Sequence, residues 1–139
     1  MLKKTIKSID FDGNERVDEC YFNMSKSELT EMEMSEQGGF DKYVEKIVET
    51  KDTKQIYQIF KEIVLMSYGE KSHDGKYFIK KKTVDGQIIR LRDEFEQTAA
   101  FDELMMELLS DEKASADFVN NIIPKELAEN VAKQFATEA

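Results

Sequence analysis

Apolar and polar residues alternate along the first 24 positions with the two-residue period of a β-strand. The alternating apolar residues fall into two groups: Ile9 and Phe11, then Cys20, Phe22 and Met24. Residues 12–14 between the groups read Asp-Gly-Asn, a composition typical of tight turns. The pattern predicts an N-terminal β-hairpin over residues 2–24.

From residue 25, apolar residues recur at steps of three and four, which is the spacing of one face of an α-helix. Ser25 and Glu28 are spaced as in a capping box, in which both side chains accept hydrogen bonds from free N–H groups at a helix start. Asp52 is expected to cap a later helix, and Gly69 is expected to end it. The two apolar stripes are Phe40, Tyr43, Val44, Ile47 and Val48, then Ile56, Ile59, Phe60, Ile63 and Val64.

In the second half of the chain, a segment with the spacing of β-strands is again followed by segments with the spacing of α-helices. Two short segments flank a turn-like Val-Asp-Gly and predict a second small hairpin near residues 77–91. Helical spacing returns after Leu91, and Asp111 is expected to cap the later of two helices. The stripes of these helices are Phe101, Leu104, Met105, Leu108 and Leu109, then Phe118, Val119, Ile122 and Ile123.

These segments together predict an α+β fold that is predominantly α-helical, with the N-terminal hairpin followed by a compact bundle of about five to six helices. A chain of 139 residues has the size of one domain. We expect residues 1–124 to form it, with the hairpin at residues 2–24 and a helical body at residues 25–123. Pro124 suits the first turn of a last helix, so residues 125–139 are predicted to form a C-terminal amphipathic helix or tail.

Composition narrows the possible partners. The net charge of -9 and the isoelectric point near 4.7 disfavour contact with phosphate backbones and anionic lipid surfaces. The single cysteine, Cys20, excludes an internal disulfide and favours a reducing compartment. The chain has no long apolar span and no apolar leader at its start. We therefore expect a protein that contacts neither nucleic acid nor membrane and is not exported.

Residue types that commonly perform catalysis are scarce. The one histidine, His73, falls in a turn-like Ser-His-Asp-Gly run, and Cys20 lies among apolar residues with no nearby cation to lower its thiol pKa. Residues 10–14 begin like a calcium-binding loop. The sixth loop position, however, is Glu15 instead of glycine, and the twelfth is Tyr21 instead of glutamate. The sequence predicts no enzyme, no cofactor and no metal site.

Without catalytic residues, the protein is expected to act by binding a partner. Apolar residues that remain exposed after the helices pack would form the binding surface. Met105 and Met106 are adaptable side chains on one predicted helix, although methionines equally fill cores. The helix after Pro124 has a narrow apolar face that could pack on its own chain or enter a groove elsewhere. The candidate partner-binding residues are Phe101, Met105, Met106, Leu109, Leu127, Val131 and Phe135.

Charge is also distributed unevenly along the second half of the chain. Residues 71–92 contain seven basic and two acidic residues, whereas residues 93–117 contain nine acidic residues and one basic residue. Two interpretations remain open. These faces could dock neighbouring copies of the chain, or they could simply be solvated surfaces, as most charge runs are.

Five short runs follow one another along the chain: Tyr21–Leu29, Ser35–Phe40, Ser67–Ser72, Asp93–Phe101 and Ile122–Pro124. Their order and spacing resemble the tail assembly chaperones of long-tailed bacteriophages and of prophages of Gram-positive bacteria. The resemblance covers roughly residues 9–124, and it departs from the family pattern at residues 80–90, where the chain is longer.

The resemblance implies a protein that coats the tape-measure protein and keeps it soluble until tail-tube subunits polymerise around it. It implies self-association, a frameshifted longer form in some relatives, and displacement by the major tail protein. It also implies a location in the host bacterial cytoplasm and absence from the mature virion. Two alternatives remain: a minor tail or connector protein retained in the virion, and an acidic mimic of nucleic acid that inhibits a host protein.

Overall fold

The structure is a computed structural model that describes residues 1–35, 39–49 and 52–124. Within these ranges the chain forms six β-strands and six α-helices. In chain order they are β1 (Leu2–Ile9), β2 (Glu15–Phe22), α1 (Lys26–Met34), α2 (Phe40–Glu49), α3 (Thr53–Ser67), β3 (Tyr68–Lys71), β4 (Phe78–Ile79), β5 (Lys81–Val84), β6 (Gln87–Arg90), α4 (Leu91–Phe95), α5 (Ala99–Ser110) and α6 (Glu112–Asn121).

The predicted N-terminal hairpin is confirmed. Strands β1 and β2 pair antiparallel along their full length, from Leu2 opposite Phe22 to Ile9 opposite Glu15. In the turn between them, the Asp10 carboxylate accepts backbone N–H bonds from residues 12 and 14 at 3.0 and 2.9 Å. The residues that begin like a calcium loop therefore form a hairpin turn, in which the aspartate satisfies the local backbone.

The second predicted hairpin is present at residues 81–90 and forms a separate two-stranded sheet, whereas residues 78–79, predicted as part of its first strand, pair with β3 instead. Strands β5 and β6 pair antiparallel, from Lys81 opposite Arg90 to Val84 opposite Gln87. Asp85 and Gly86 connect them with positive φ angles of 50° and 77°. A two-residue loop with both residues at positive φ matches the twist of the flanking strands, which explains the Asp-Gly pair.

The first hairpin belongs to a larger sheet with the strand order β1-β2-β3-β4, in which every neighbouring pair is antiparallel. One face of this sheet packs against the helices, and Phe22 lies at its centre. The Phe22 ring makes edge contacts with Tyr68, Phe95 and Phe118 at centroid distances of 5.7, 5.9 and 5.1 Å. Each such pair contributes about 0.5–1.5 kcal/mol beyond the burial of its area.

The prediction of a predominantly helical bundle is wrong. About half of the described residues are helical and about a quarter lie in strands, so the fold is a mixed α+β fold with two antiparallel sheets. The difference arises at β3 and β4, which add two strands to the predicted hairpin. Helix α4 packs against β3, and α5 packs against β1, so both helices contact the sheet as well as other helices.

Gly69 does not end a helix as predicted. Helix α3 ends at Ser67, Tyr68 is already extended, and Gly69 lies inside β3, where it is buried. A Cβ atom at this position would lie 2.4 Å from the Phe78 ring and 2.7 Å from the carbonyl oxygen of Ile79. The glycine is therefore needed because β4 and its phenyl ring approach the backbone closely.

The predicted helix caps are confirmed. Ser25 Oγ accepts the N–H of Glu28 at 3.1 Å, and Glu28 Oε1 accepts the N–H of Ser25 at 2.9 Å, which completes the capping box of α1. Asp52 accepts one backbone N–H at the start of α3, and Asp111 accepts two at the start of α6. Residues 125–139 lie outside the described residues, so the proposed division at residue 124 stays a prediction.

Candidate partner-binding groove

The side chains considered for catalysis lie in unreactive settings. Cys20 is buried in β2, and burial, together with the charge of Asp18, raises the pKa of its thiol to about 11. His73 is exposed in the turn between β3 and β4. Within residues 1–35, 39–49 and 52–124, no group of three or more histidine, cysteine or acidic side chains is placed to hold a metal ion. No helix of that same part of the chain has the length and apolarity to cross a membrane.

The predicted partner-binding residues of α5 divide between core and surface. Phe101 and Met105 are buried, Leu109 is half-buried, and Met106 is 57% exposed. Met105 thus fills the core, as the more common role of methionine predicts, and of these four α5 residues only Met106 offers a large surface to a partner. Leu127, Val131 and Phe135 lie outside the described residues. Contact between any of these residues and a partner stays a prediction.

A groove of about 850 Å³ lies between α1, the end of α3 and the segment around β4 and β5, and we call it the methionine groove. Pockets for small ligands have volumes of about 300–1,000 Å³, so the groove has room for a few side chains of a partner. Its apolar wall includes three methionines and three aromatic residues. The apolar lining residues are Met24, Met32, Leu65, Met66, Tyr68, Tyr77, Phe78 and Ile79.

A partly buried ion pair fixes one side of the methionine groove. Lys80 Nζ lies 2.5 Å from Glu28 Oε2 and 2.8 Å from the backbone oxygen of Met66, so it joins α1, α3 and the β4–β5 segment. Burial is the largest influence on Glu28 and by itself raises its pKa. The hydrogen bonds from Lys80 and Ser25 and the nearby lysine charge together outweigh it and lower the pKa. The carboxylate is therefore held in its charged form at neutral pH.

The rim of the methionine groove is basic, in contrast to the acidic chain as a whole. Four basic and two acidic side chains line it. The Nε of Arg90 donates a hydrogen bond to Oδ2 of Asp93 at 3.0 Å. The buried Nε of Arg92 has no hydrogen-bond partner among the described residues. The rim residues are Lys80, Lys81, Arg90, Arg92, Glu28 and Glu31.

The groove could not be predicted from the sequence, because its walls come from four separate segments that no helical or strand period connects. Residues 23–35, 65–68, 77–81 and 90–92 supply the lining. The available signal was the high methionine count of seven. The spacing of Met24, Met32 and Met66 does not indicate that they lie together. They share one groove because β3 and β4 join the sheet.

A second group of apolar side chains is exposed at the far end of the β1–β2 hairpin. Ile9 and Val17 are both exposed, and the register places them diagonally on the same outer face of the sheet. Phe11 in the adjoining turn is 85% exposed. Single exposed apolar residues are ordinary on protein surfaces, so these three residues do not by themselves indicate a binding site. The methionine groove remains the stronger candidate because it is concave and lined by many residues.

Comparison with known proteins identifies the family. No curated protein and no solved structure matches the chain. A family model described as phage tail assembly chaperone matches residues 1–139, which is the whole sequence. Assembly chaperones act by binding proteins, which agrees with a groove suited to a protein segment and suggests a non-enzymatic role. The chain therefore belongs to the phage tail assembly chaperone family.

Proposed function

We propose that this chain binds the phage tape-measure protein and keeps it soluble until tail-tube subunits polymerise around it. The observation that carries the proposal is the family match over the whole chain. The methionine groove supports it, because methionine side chains are flexible and polarizable and adapt to apolar segments of varied sequence. A protein that binds many sites along one long client needs that tolerance.

The basic rim favours client segments that carry acidic side chains. Apolar side chains would enter between Met32, Met66 and Tyr77, and a carboxylate would lie beside the basic side chains of the rim. The net charge of -9 keeps the remaining surface soluble through self-repulsion. We therefore propose amphipathic client segments that place an acidic side chain beside an apolar stripe.

The wider setting is part of the same proposal. The protein would act in the bacterial cytoplasm of a Gram-positive host and leave the tail when the major tail protein assembles. Copies would associate along the client, and a frameshifted longer form would join the coat. Mass spectrometry of purified phage particles tests whether the protein leaves the tail. Detection of the chain at the copy number of a structural protein would contradict it and favour a retained minor tail or connector protein.

Co-expression with the tape-measure protein of the same genome tests the binding step. We expect the native chain to bring the tape-measure protein into the soluble fraction and to be captured with it. Tyr77→Glu and Met32→Glu should reduce this capture, because each places a charge in the apolar wall of the groove. A tape-measure protein that stays insoluble with the native chain would overturn the proposed function.

Met106→Glu is the matched control, because Met106 and Tyr77 are almost equally exposed, at 57% and 59%. The control should retain capture of the tape-measure protein. If Met106→Glu abolishes capture while Tyr77→Glu retains it, the client binds the α5 surface instead of the methionine groove. That result would leave the chaperone role intact and move the binding site.

A further inference from the structure

The β5–β6 hairpin is the most exposed part of the two sheets, and we call residues 81–90 the β-arm. Seven of its eight strand residues are exposed, and only Ile89 is half-buried. Ile89 shares one face of the hairpin with Lys82, whose Nζ lies 2.9 Å from Oε1 of Glu94 in α4. This face therefore turns toward the helix. A two-stranded hairpin has little stability of its own, so the opposite face gains from a further contact.

The opposite face of the β-arm combines one apolar residue with two basic residues. Because side chains alternate between the two faces of a strand, Ile88 shares this face with Thr83, its cross-strand partner. The neighbouring pair on the same face is Lys81 and Arg90. Ile88 is 68% exposed, and Lys81 has no ion-pair partner among the described residues. The face thus offers an apolar contact beside positive charge.

Helix α5 carries a surface of similar layout and opposite charge. Met106 is 57% exposed, and Asp102 and Glu103 precede it by four and three residues, which places such side chains about 5–6 Å apart. Both carboxylates are exposed, and neither has an ion-pair partner in the part of the chain that the structure describes. On the β-arm, Ile88 and Arg90 are about 7 Å apart along β6. The two surfaces therefore match in spacing as well as in charge.

We propose that the β-arm of one copy of the chain docks on the α5 surface of a second copy. Ile88 contacts Met106 in this arrangement, and Lys81 lies beside the two carboxylates of α5. The two surfaces do not cover each other within one chain, because Ile88 and Met106 both stay exposed in the folded protein. The contact needs no client, and only its use in extending a coat along the tape-measure protein rests on the proposed function.

The charge distribution explains how copies of an acidic protein can approach each other. The net charge of -9 repels two copies at long range, but the β-arm and α5 surfaces attract when they face each other. This gives a use to the uneven charge of residues 71–92 and 93–117. Because the two surfaces differ, one copy can place its β-arm on one neighbour and accept the β-arm of another.

Light scattering of the purified native chain over a range of concentrations tests the contact without a client. The molar mass should rise with concentration above the monomer value of 16.2 kDa, and added salt should lower it by screening the charges. Ile88→Glu and Met106→Lys should each weaken association at least about tenfold, because each removes the apolar contact and opposes like charges. A native chain that stays monomeric at every concentration would overturn the proposal.

Two matched controls separate the contact from a general effect of charge. Val84→Glu places the same charge on the other face of the β-arm, and Val17→Lys places a cation at an exposed position of β2. Both control variants should associate like the native chain. If a control variant loses association as fully as its counterpart, the proposed contact is wrong.

A mixture of the two variants distinguishes loss of the contact from loss of folding. Ile88→Glu keeps an intact α5 surface, and Met106→Lys keeps an intact β-arm. Each variant alone should stay monomeric, whereas an equal mixture should form a complex with one copy of each and about twice the mass of 16.2 kDa. A mixture that stays monomeric would rule out the contact.

The same measurement on Tyr77→Glu keeps this proposal separate from the proposed function. Tyr77 lines the methionine groove and lies outside the β-arm and α5 surfaces, so this variant should associate like the native chain while its capture of the tape-measure protein falls. Failure of capture by the native chain would leave the contact between copies standing. Association lost equally in Tyr77→Glu and Ile88→Glu would instead assign the contact to the groove and overturn the proposal.

Discussion

Tyr68 and Phe95 stack face to face, with ring centroids 4.0 Å apart and planes inclined by 4°. The pair joins β3 to α4, and the edge of Phe22 contacts both rings. The strand that sequence analysis missed is therefore fixed to the helical layer through aromatic side chains. This cluster sets the position of β3, and β3 in turn places β4 at the wall of the methionine groove.

Truncation of Phe22 should be among the most destabilising single changes in the chain. Its side chain is fully buried and contacts three aromatic rings, so Phe22→Ala should lower the free energy of unfolding by about 3–5 kcal/mol. Urea denaturation followed by circular dichroism measures the change. Phe11→Ala, at an 85% exposed position, should alter stability by less than about 0.5 kcal/mol. Equal effects of the two variants would refute this account of the core.

Gly69→Ala should disturb the junction of β3 and β4. The new methyl group would meet the Phe78 ring at 2.4 Å and a backbone oxygen at 2.7 Å, and overpacking of this kind costs about 1–3 kcal/mol. Thermal unfolding gives the size of the effect. A second substitution, Phe78→Ala, should recover part of the loss, because it removes one of the two clashes. Simple additivity of the two effects would argue against a steric cause.

Glu28 should make stability depend on pH in the acid range. Its folded pKa is lowered below the ordinary value of 4.5, so its contribution is present above that value and is lost as the pH falls through the folded pKa. Glu28→Gln should therefore flatten the decline in the free energy of unfolding below about pH 4.5. Glu45→Gln is the control, because Glu45 pairs with Lys42 on the surface of α2 at 3.3 Å. A control that flattens the curve equally would contradict the assignment to Glu28.

Cys20 should react slowly with thiol reagents in the native protein. At pH 8 a thiol with a pKa of about 11 is almost entirely protonated, and the side chain is also buried. Reaction with a chromogenic disulfide should therefore be slow in buffer and rapid in concentrated urea. Similar rates in the two solutions would show that β2 opens readily from the sheet.

Local patterns in the sequence were enough to predict several parts of the fold. The β1–β2 hairpin, the β5–β6 hairpin and the caps at Ser25, Asp52 and Asp111 depend on residues a few positions apart, and all are present. Each of these features satisfies its own backbone hydrogen bonds, so no distant partner is needed to form it.

The remaining features depend on contacts between distant segments, so local patterns could not reveal them. Strand β4 has two residues and β3 has four, which is too short for a period to be recognised. Their place in the sheet is decided by pairings such as Tyr68 opposite Phe22. The prediction of a helical bundle was wrong for this reason, and the methionine groove, which needs both strands, was missed with it.

The order of strands in the sheet has a consequence for how the chain folds. Neighbours β2 and β3 are separated by all of α1, α2 and α3, so the pairing of Phe22 with Tyr68 closes a loop of roughly 45 residues. Closing a loop of this length has an entropic free-energy cost of about 3–4 kcal/mol, and this cost arises before contacts between β2 and β3 can stabilise the sheet. The β1–β2 hairpin should therefore form first. In pulsed hydrogen exchange during refolding, the amide of Asn23, which donates to Ser67, should become protected later than the amides that join β1 to β2.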